Sequence, residues 1–287
     1  MSDPFHLEPL DATFGAVVTG PRLPTLDAAA FASLHAHWLD RALLIFPGQF
    51  LTKDEQVAFA ERFGPLEFAW APISNVRADG SVRADQPDDE MLKIIKGNME
   101  WHCDSTYMPV QAKGAVFSAQ VVAASGGETG FADMRAAYDA LDGDLRARVE
   151  RMGAFHSLRY SQGRAGLAPK ADGGDYSGYG FDVADAPFRP LVKTHPETHR
   201  KTLMIGRHAY GVPGLSAEDS ARFLDELCDF ACRPPRVYDH RWSAGDVVVW
   251  DNRSLMHRAC PWDMREPRVM HHTRLAGDAV TEFAAAA

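Results

Sequence analysis

The 287-residue chain is short of several things, and each shortage excludes a class of protein. Its four cysteines, Cys103, Cys228, Cys232 and Cys260, form no CxxC pair and are too few for a disulfide scaffold. A reduced, cytoplasmic setting is expected. Positive charge is also in deficit. Thirty Lys and Arg against 39 Asp and Glu leave a net charge of −9, the wrong sign for a general nucleic-acid binder. No apolar run approaches the roughly 18 residues that cross a bilayer. The opening MSDPFHLEPL has no basic stretch followed by an apolar one, so neither membrane insertion nor a secretory signal is expected. Internal repeats are absent. What remains is the composition of a globular enzyme, 46% hydrophobic and 24% charged, with length for one large core. One domain over 1–287 is expected.

Periodicity divides the chain. Thr13 to Thr19 reads as a strand and Leu26 to Ala42 as an amphipathic helix. Thr52 with Glu55 three positions on is a capping box opening a second helix, which Gly64 closes. The polar stretch 77–90 reads as a surface loop. Strand signals follow at Leu92–Lys96, Ala115–Ala123, Leu203–Gly206, Asp246–Trp250 and Arg268–Leu275. Helical pattern occupies 134–152 and 217–232, the latter capped by Ser216 and Asp219. Residues 161–190 hold six glycines and read as a long loop of the kind that covers a site. Many short strands, with helices at the start and in insertions, predict a β-rich α+β fold. A double-stranded β-helix (a cupin-like jelly roll) with flanking helices fits best.

Chemistry concentrates at Trp101-His102-Cys103-Asp104. In an extended chain, residues i and i+2 face the same way, so His102 and Asp104 can grip one ion while Cys103 points away. An imidazole and a carboxylate so spaced, with a distant second His, is the facial triad of non-haem iron oxygenases. Spacing alone is weak evidence. With 12 His and 39 acids, chance supplies about 1.6 H-x-[D/E] pairs. Three occur: His6/Glu8 near a terminus expected to be mobile, His195/Glu197 in a turn, and His102/Asp104. A buried strand at Asp246–Trp250 followed by His257 offers the distal ligand. Alternation in Arg268-Val-Met-His-His-Thr-Arg274 puts Arg268, Met270, His272 and Arg274 on one face, with His271 opposite. Buried arginine is costly unless paired, so arginines beside a metal suit carboxylate ligands, although surface ion pairs are an equally good reading from sequence. Cys228 and Cys232 read as core packing, His35 and His37 as structural, and Cys260 as a poor iron ligand.

These residues resemble the taurine/dichlorophenoxyacetate dioxygenases, from near Thr13 to Gly277. WHCDSTYMP, GGETGFADMRAAYDAL and WDNRSLMHRACPWD…RVMHHTRLAGD follow that family's motifs in order. The chain looks most like the aryloxyalkanoate-cleaving members. The resemblance implies iron(II) on His102, Asp104 and His257, with 2-oxoglutarate and O2 as co-substrates. It places Thr129 and Arg268 on 2-oxoglutarate and Asn98 on the substrate side. The taurine enzymes' substrate arginine falls on His272 here, so Arg274, Arg207 or His208 is expected to take the substrate anion. The implied reaction hydroxylates the carbon beside the ether oxygen of an aryloxyalkanoate, releasing a phenol and a 2-oxo acid with succinate and CO2. Rival readings are the same chemistry on an alkylsulfonate or sulfate ester, a zinc hydrolase, or a cupin-like sensor. The expected partner is a small anionic aromatic molecule, neither nucleic acid nor membrane, and the expected assembly is a homo-oligomer.

Overall fold

A computed structural model describes residues 4–83, 89–167, 180–181 and 185–284. The first half contains β1 (His6–Pro9), β2 (Ala16–Thr19), α1 (Ala28–Arg41), β3 (Leu43–Phe46), α2 (Lys53–Glu61), β4 (Leu66–Ser74), α3 (Glu90–Gly97), β5 (Gly114–Val121) and β6 (Thr129–Asp133). Next come α4 (Met134–Asp139), α5 (Gly143–Val149), β7 (Gly153–His156), α6 (Leu158–Arg164), β8 (Phe188–Pro190), β9 (Val192–Thr194), β10 (Lys201–Leu203) and β11 (Ala209–Tyr210). The chain ends with α7 (Ala217–Ala231), β12 (Val237–His240), β13 (Val247–Asp251), β14 (Leu255–Ala259) and β15 (Val269–Leu275).

Mixed sheets with flanking helices make this an α+β fold. The large sheet has the order β1-β2-β3-β13-β5-β15-β4, antiparallel except where β2 meets β3, and a small antiparallel sheet has the order β12-β6-β14. The central strand β13 shows what holds the two together. Its residues alternate in direction. Val247 and Val249 pack with Trp38 and Phe59 of α1 and α2, whereas Val248 and Trp250 pack with Phe117 and with Phe131 of the small sheet. Each such side chain, fully buried, contributes about 1.5–3 kcal/mol. Asp27 caps α1, and the Thr52–Glu55 capping box opens α2 as its sequence requires. Among the described residues no helix is long and apolar enough to cross a membrane.

Several local expectations fail. Residues 92–96 form helix α3, not a strand. Asp89 accepts from Leu92 N to cap it, and Met91, Leu92 and Ile95 recur at helical spacing to bury one face. The helical pattern over 134–152 breaks into α4 and α5, because Asp142 caps a new helix. The stretch read as loop from 161 begins inside α6, and residues 168–179 and 182–184 of it lie outside the described residues, as do 84–88 of the 77–90 loop. The expected strand at 203–206 is paired only up to Leu203. His6 is not in a loose terminus: it lies in β1, paired with β2.

Candidate active site

The triad is assembled by backbone pairing. His102 N donates to His257 O at 3.0 Å and His257 N to His102 O at 2.8 Å, an isolated bridge that sets the two imidazoles side by side. His102 is therefore not in a continuous strand, and Asp104 already lies in a turn, with Ser105 at φ +56 leading the chain away. Asp104 is held instead by Asn252, in the turn between β13 and β14. The Asn252 carbonyl accepts from Asp104 N at 2.9 Å, and its amide donates to Asp104 O at 2.9 Å. The result places donor atoms of His102, Asp104 and His257 within 4.8 Å of one another, all three residues buried. Cys103 points away into a separate apolar cluster, as alternation predicts.

The donor set fits a divalent ion. A carbonyl can only accept, so the 2.8 Å contact between His102 Nδ1 and Glu100 O puts the hydrogen on Nδ1 and leaves Nε2 as a free lone pair. Burial pushes the His102 pKa down to about 3, and burial with the nearby Arg274 does the same for His257, so both rings are neutral. Asp104 is pushed up by burial, but Arg274, then His272 and His102, hold it below its ordinary value. Its Oδ1 accepts from Arg274 Nη2 at 2.8 Å. Its Oδ2 is buried with no hydrogen-bond partner, 3.7 Å from His257 Nε2 and 3.6 Å from His272 Nε2. A buried carboxylate oxygen facing imidazole nitrogens is the acceptor a cation completes.

The triad opens onto a cavity of about 360 Å³, into which Thr129, Arg268, Asn98, Arg207, His208 and Arg274 also face. Arg268 is 3% exposed. Its Nε donates to Gly127 O at 3.2 Å and its guanidinium lies 4.9 Å from the Trp262 ring centroid, yet no carboxylate among the described residues pairs with it. Burial lowers its pKa to about 10, incompletely offset by Cys260 and Glu128, so it stays charged. Thr129 Oγ1 accepts from Trp242 Nε1 at 3.0 Å, which leaves its own hydrogen to donate.

Arg207, lining the same cavity, is also buried, and its Nη2 donates to Gln162 Oε1 at 2.7 Å. His208 Nδ1 meets Ser161 Oγ at 2.8 Å, and burial, then Arg207, holds that ring well below its ordinary pKa. Asn98 caps the end of α3. Arg274 differs from the other two arginines. It donates to Asp104 Oδ1 and, at 3.1 Å, to Ser105 Oγ, and its guanidinium sits 4.7 Å from the Phe68 ring centroid. His272 stacks on Trp250 inside the cavity while His271 stacks on Trp70 outside it, the opposed faces that alternation predicts. Cys260 reaches Asp239 Oδ1 at 3.7 Å and is not in the donor group. Sequence reasoning missed Gln162 and Asn252. The first sits in a glycine-rich stretch with no periodic signal, whereas the second lies in the WDNR segment beside a ligand and was within reach.

The model of the taurine catabolism dioxygenase TauD, TfdA family matches residues 6–275. An (S)-phenoxypropionate/alpha-ketoglutarate-dioxygenase of Sphingobium herbicidovorans is 63% identical over 257 residues, 90% of this chain and 90% of that protein. One of the same name from Delftia acidovorans is 58% identical, with 90% of each covered. A crystal structure of AAD-2 in complex with Mn(II) and N-oxalylglycine superposes with a TM-score of 0.89 at 34% identity, covering 99% of both chains. The family match over residues 6–275 and these relatives show that the chain belongs to the TauD/TfdA dioxygenase family.

Proposed function

We propose that this protein is an iron(II)- and 2-oxoglutarate-dependent dioxygenase that cleaves aryloxyalkanoates of the phenoxyacetate and phenoxypropionate kind. The observation that carries it is charge. One cavity holds a His-Asp-His donor set and two buried arginines: Arg268, which no carboxylate among the described residues pairs with, and Arg207, whose one acidic neighbour, the half-exposed Glu100, lies 3.8 Å away. Two cations so incompletely balanced beside a metal site suit two carboxylates, one on the co-substrate and one on the substrate. The names of the relatives point to the same pair of ligands.

His102, Asp104 and His257 hold the iron, which with 2-oxoglutarate and O2 supplies oxidative attack on a C–H bond. Arg268 takes the distal carboxylate of 2-oxoglutarate and Thr129 donates to it. Arg207, flanked by Asn98 and His208, takes the substrate carboxylate. Arg274 lines the same cavity, but its hydrogen bonds to Asp104 and Ser105 favour Arg207 as the anchor. Phe68, Ile73, Phe117 and Phe181 give the aryl ring an apolar wall and keep water out. Hydroxylation at the carbon bearing the ether oxygen gives a hemiacetal or hemiketal. Its hydroxyl proton passes to the departing aryloxide, leaving phenol and a 2-oxo acid, with succinate and CO2 from the co-substrate. The shared cluster of Phe117, Phe131 and Trp250 supports reading the large and small sheets as the halves of a jelly roll.

The test is a substrate panel with iron(II), 2-oxoglutarate and oxygen, assayed for succinate and phenol. Equal amounts of both are expected from free aryloxy acids, and little from their ethyl esters. Phenol released without 2-oxoglutarate, or equal turnover of acid and ester, would overturn the reading.

A further inference from the structure

The partner of Arg207 is unusual for a buried arginine. Among the other buried guanidinium groups described, Arg253 is held by Asp251 and Arg135 by Asp133, whereas Arg189 and Arg268 donate to backbone carbonyls. Arg207 is held by an amide, Gln162 Oε1 at 2.7 Å, and Gln162 is only 4% exposed. Arginine can only donate, so the facing atom is the amide oxygen. The nearest acid is Glu100, whose Oε2 lies 3.8 Å from Arg207 Nε on a side chain 48% exposed, where solvent weakens the attraction. The pair is also tightly housed. A Cβ on Gly97, the last residue of α3, would sit 2.5 Å from both Arg207 Nη1 and Gln162 Oε1. One residue earlier in α6, Ser161 holds His208. Two neighbours on α6 thus fix two neighbours on the cavity wall.

From this geometry we infer that Gln162 is a positioning residue that sets the charge specificity of the site: it fixes the Arg207 guanidinium against the Gly97 backbone without cancelling its charge, so the cation is left for a substrate carboxylate. A carboxylate has the same shape and would hold Arg207 at least as firmly, but it would complete the ion pair inside the protein and repel an incoming acid. An amide gives aim and leaves charge. The inference rests on Arg207 as the anchor proposed above.

The experiment compares Gln162→Glu, Gln162→Met and Arg207→Ala with wild type, using phenoxypropionate, its neutral primary amide and the corresponding aryloxyalkylamine. KM and kcat are read for each. The 2-oxoglutarate dissociation constant of the Mn(II)-loaded protein serves as the check on fold. Gln162→Glu is expected to raise KM for the acid about 30-fold or more, to leave KM for the amide near wild type, and to improve binding of the amine. Gln162→Met, which loses the acceptor but adds no charge, should raise KM for the acid less than about tenfold without changing the order of preference. An unaltered KM for the acid in Gln162→Glu, with Arg207→Ala impaired, overturns this inference alone. Arg207→Ala with wild-type KM for the acid overturns the anchor assignment and the inference with it. A collapse of 2-oxoglutarate affinity in Gln162→Glu also overturns it, because the defect would then not be confined to the anion corner.

Discussion

Two groups of buried arginine divide the molecule. Behind the cavity, Arg253 grips Asp251 through Nε and Nη2 at 2.9 and 2.8 Å and reaches Glu197 at 2.6 Å, while Asp251 also contacts His195 Nε2 at 2.9 Å. Facing the cavity, Arg268 has a backbone carbonyl and Arg207 an amide, with only the half-exposed Glu100 3.8 Å from Arg207. Burial works against the charge in both groups. Around Arg253 the carboxylates more than offset it and raise the pKa, whereas Arg268 and Arg207 are left with lowered ones. Arg253 is neutralised within the frame, whereas Arg268 and Arg207 keep charge that the proposed function assigns to ligands. Arg189, outside the cavity lining, also donates only to backbone carbonyls, so it is the cavity and not the neutral acceptor alone that sets those two apart. Arg274 lies between, because its carboxylate partner Asp104 is itself a proposed metal ligand.

This contrast can be broken by substitution. The largest effect belongs to Asp104→Ala, which should abolish turnover and weaken Mn(II) or Fe(II) binding well beyond the ~10–100-fold typical of losing an outer-shell partner. Wild-type metal affinity in that variant, read by titration, would remove Asp104 from the donor set. Next, Arg253→Ala strands Asp251 in the interior and should lower unfolding free energy by about 3–5 kcal/mol, with the charge preference of surviving enzyme unaltered. The frame pair also carries a pH signature. Burial pushes the Asp251 carboxyl up, but Arg253 and His195 hold it far below the carboxylate range. Its stabilisation is therefore present above about pH 4 and lost as pH falls further, and Asp251→Asn should flatten that acid limb of the stability curve.

Arg268→Ala should do the reverse of Arg253→Ala. We expect 2-oxoglutarate binding to weaken by roughly 2–5 kcal/mol, while Tm without ligand holds or rises as an unpaired buried charge is removed. An unchanged 2-oxoglutarate titration would put Arg268 in the frame group. The smallest effect is Thr129→Val, about 1 kcal/mol in the same titration, because one neutral donor is lost.

Much of the site was legible because its chemistry is local. His102 and Asp104 are two residues apart, and the alternation of His272 and Arg274 along β15, with Arg268 just before it, needs no tertiary knowledge. Elements with contradictory or weak periodicity were misread. Leu92–Lys96 is an apolar run too short to separate strand from helix, and what decides it is the Asp89 cap and packing against the Trp262 cluster. Partnerships across the chain were invisible: Asn252 meets Asp104 148 residues away, Arg274 meets it 170 residues away, and Gln162 meets Arg207 45 residues away. Such pairs decide which arginine is neutralised and which is not, and no window of sequence contains them.

The reciprocal bridge between His102 and His257 has a consequence for how the enzyme meets its metal. The peptide groups of His102 and His257 close the hydrogen bonds that place each other, so the loop-closure entropy of bringing the two residues together is offset by backbone pairing as well as by any ion they hold. A socket braced in this way is expected to take its metal by ligand exchange rather than by coupled folding. Loss of the ion should be reversible without refolding, and ions of similar radius should interchange on the same scaffold, a latitude that a metal-nucleated domain does not have.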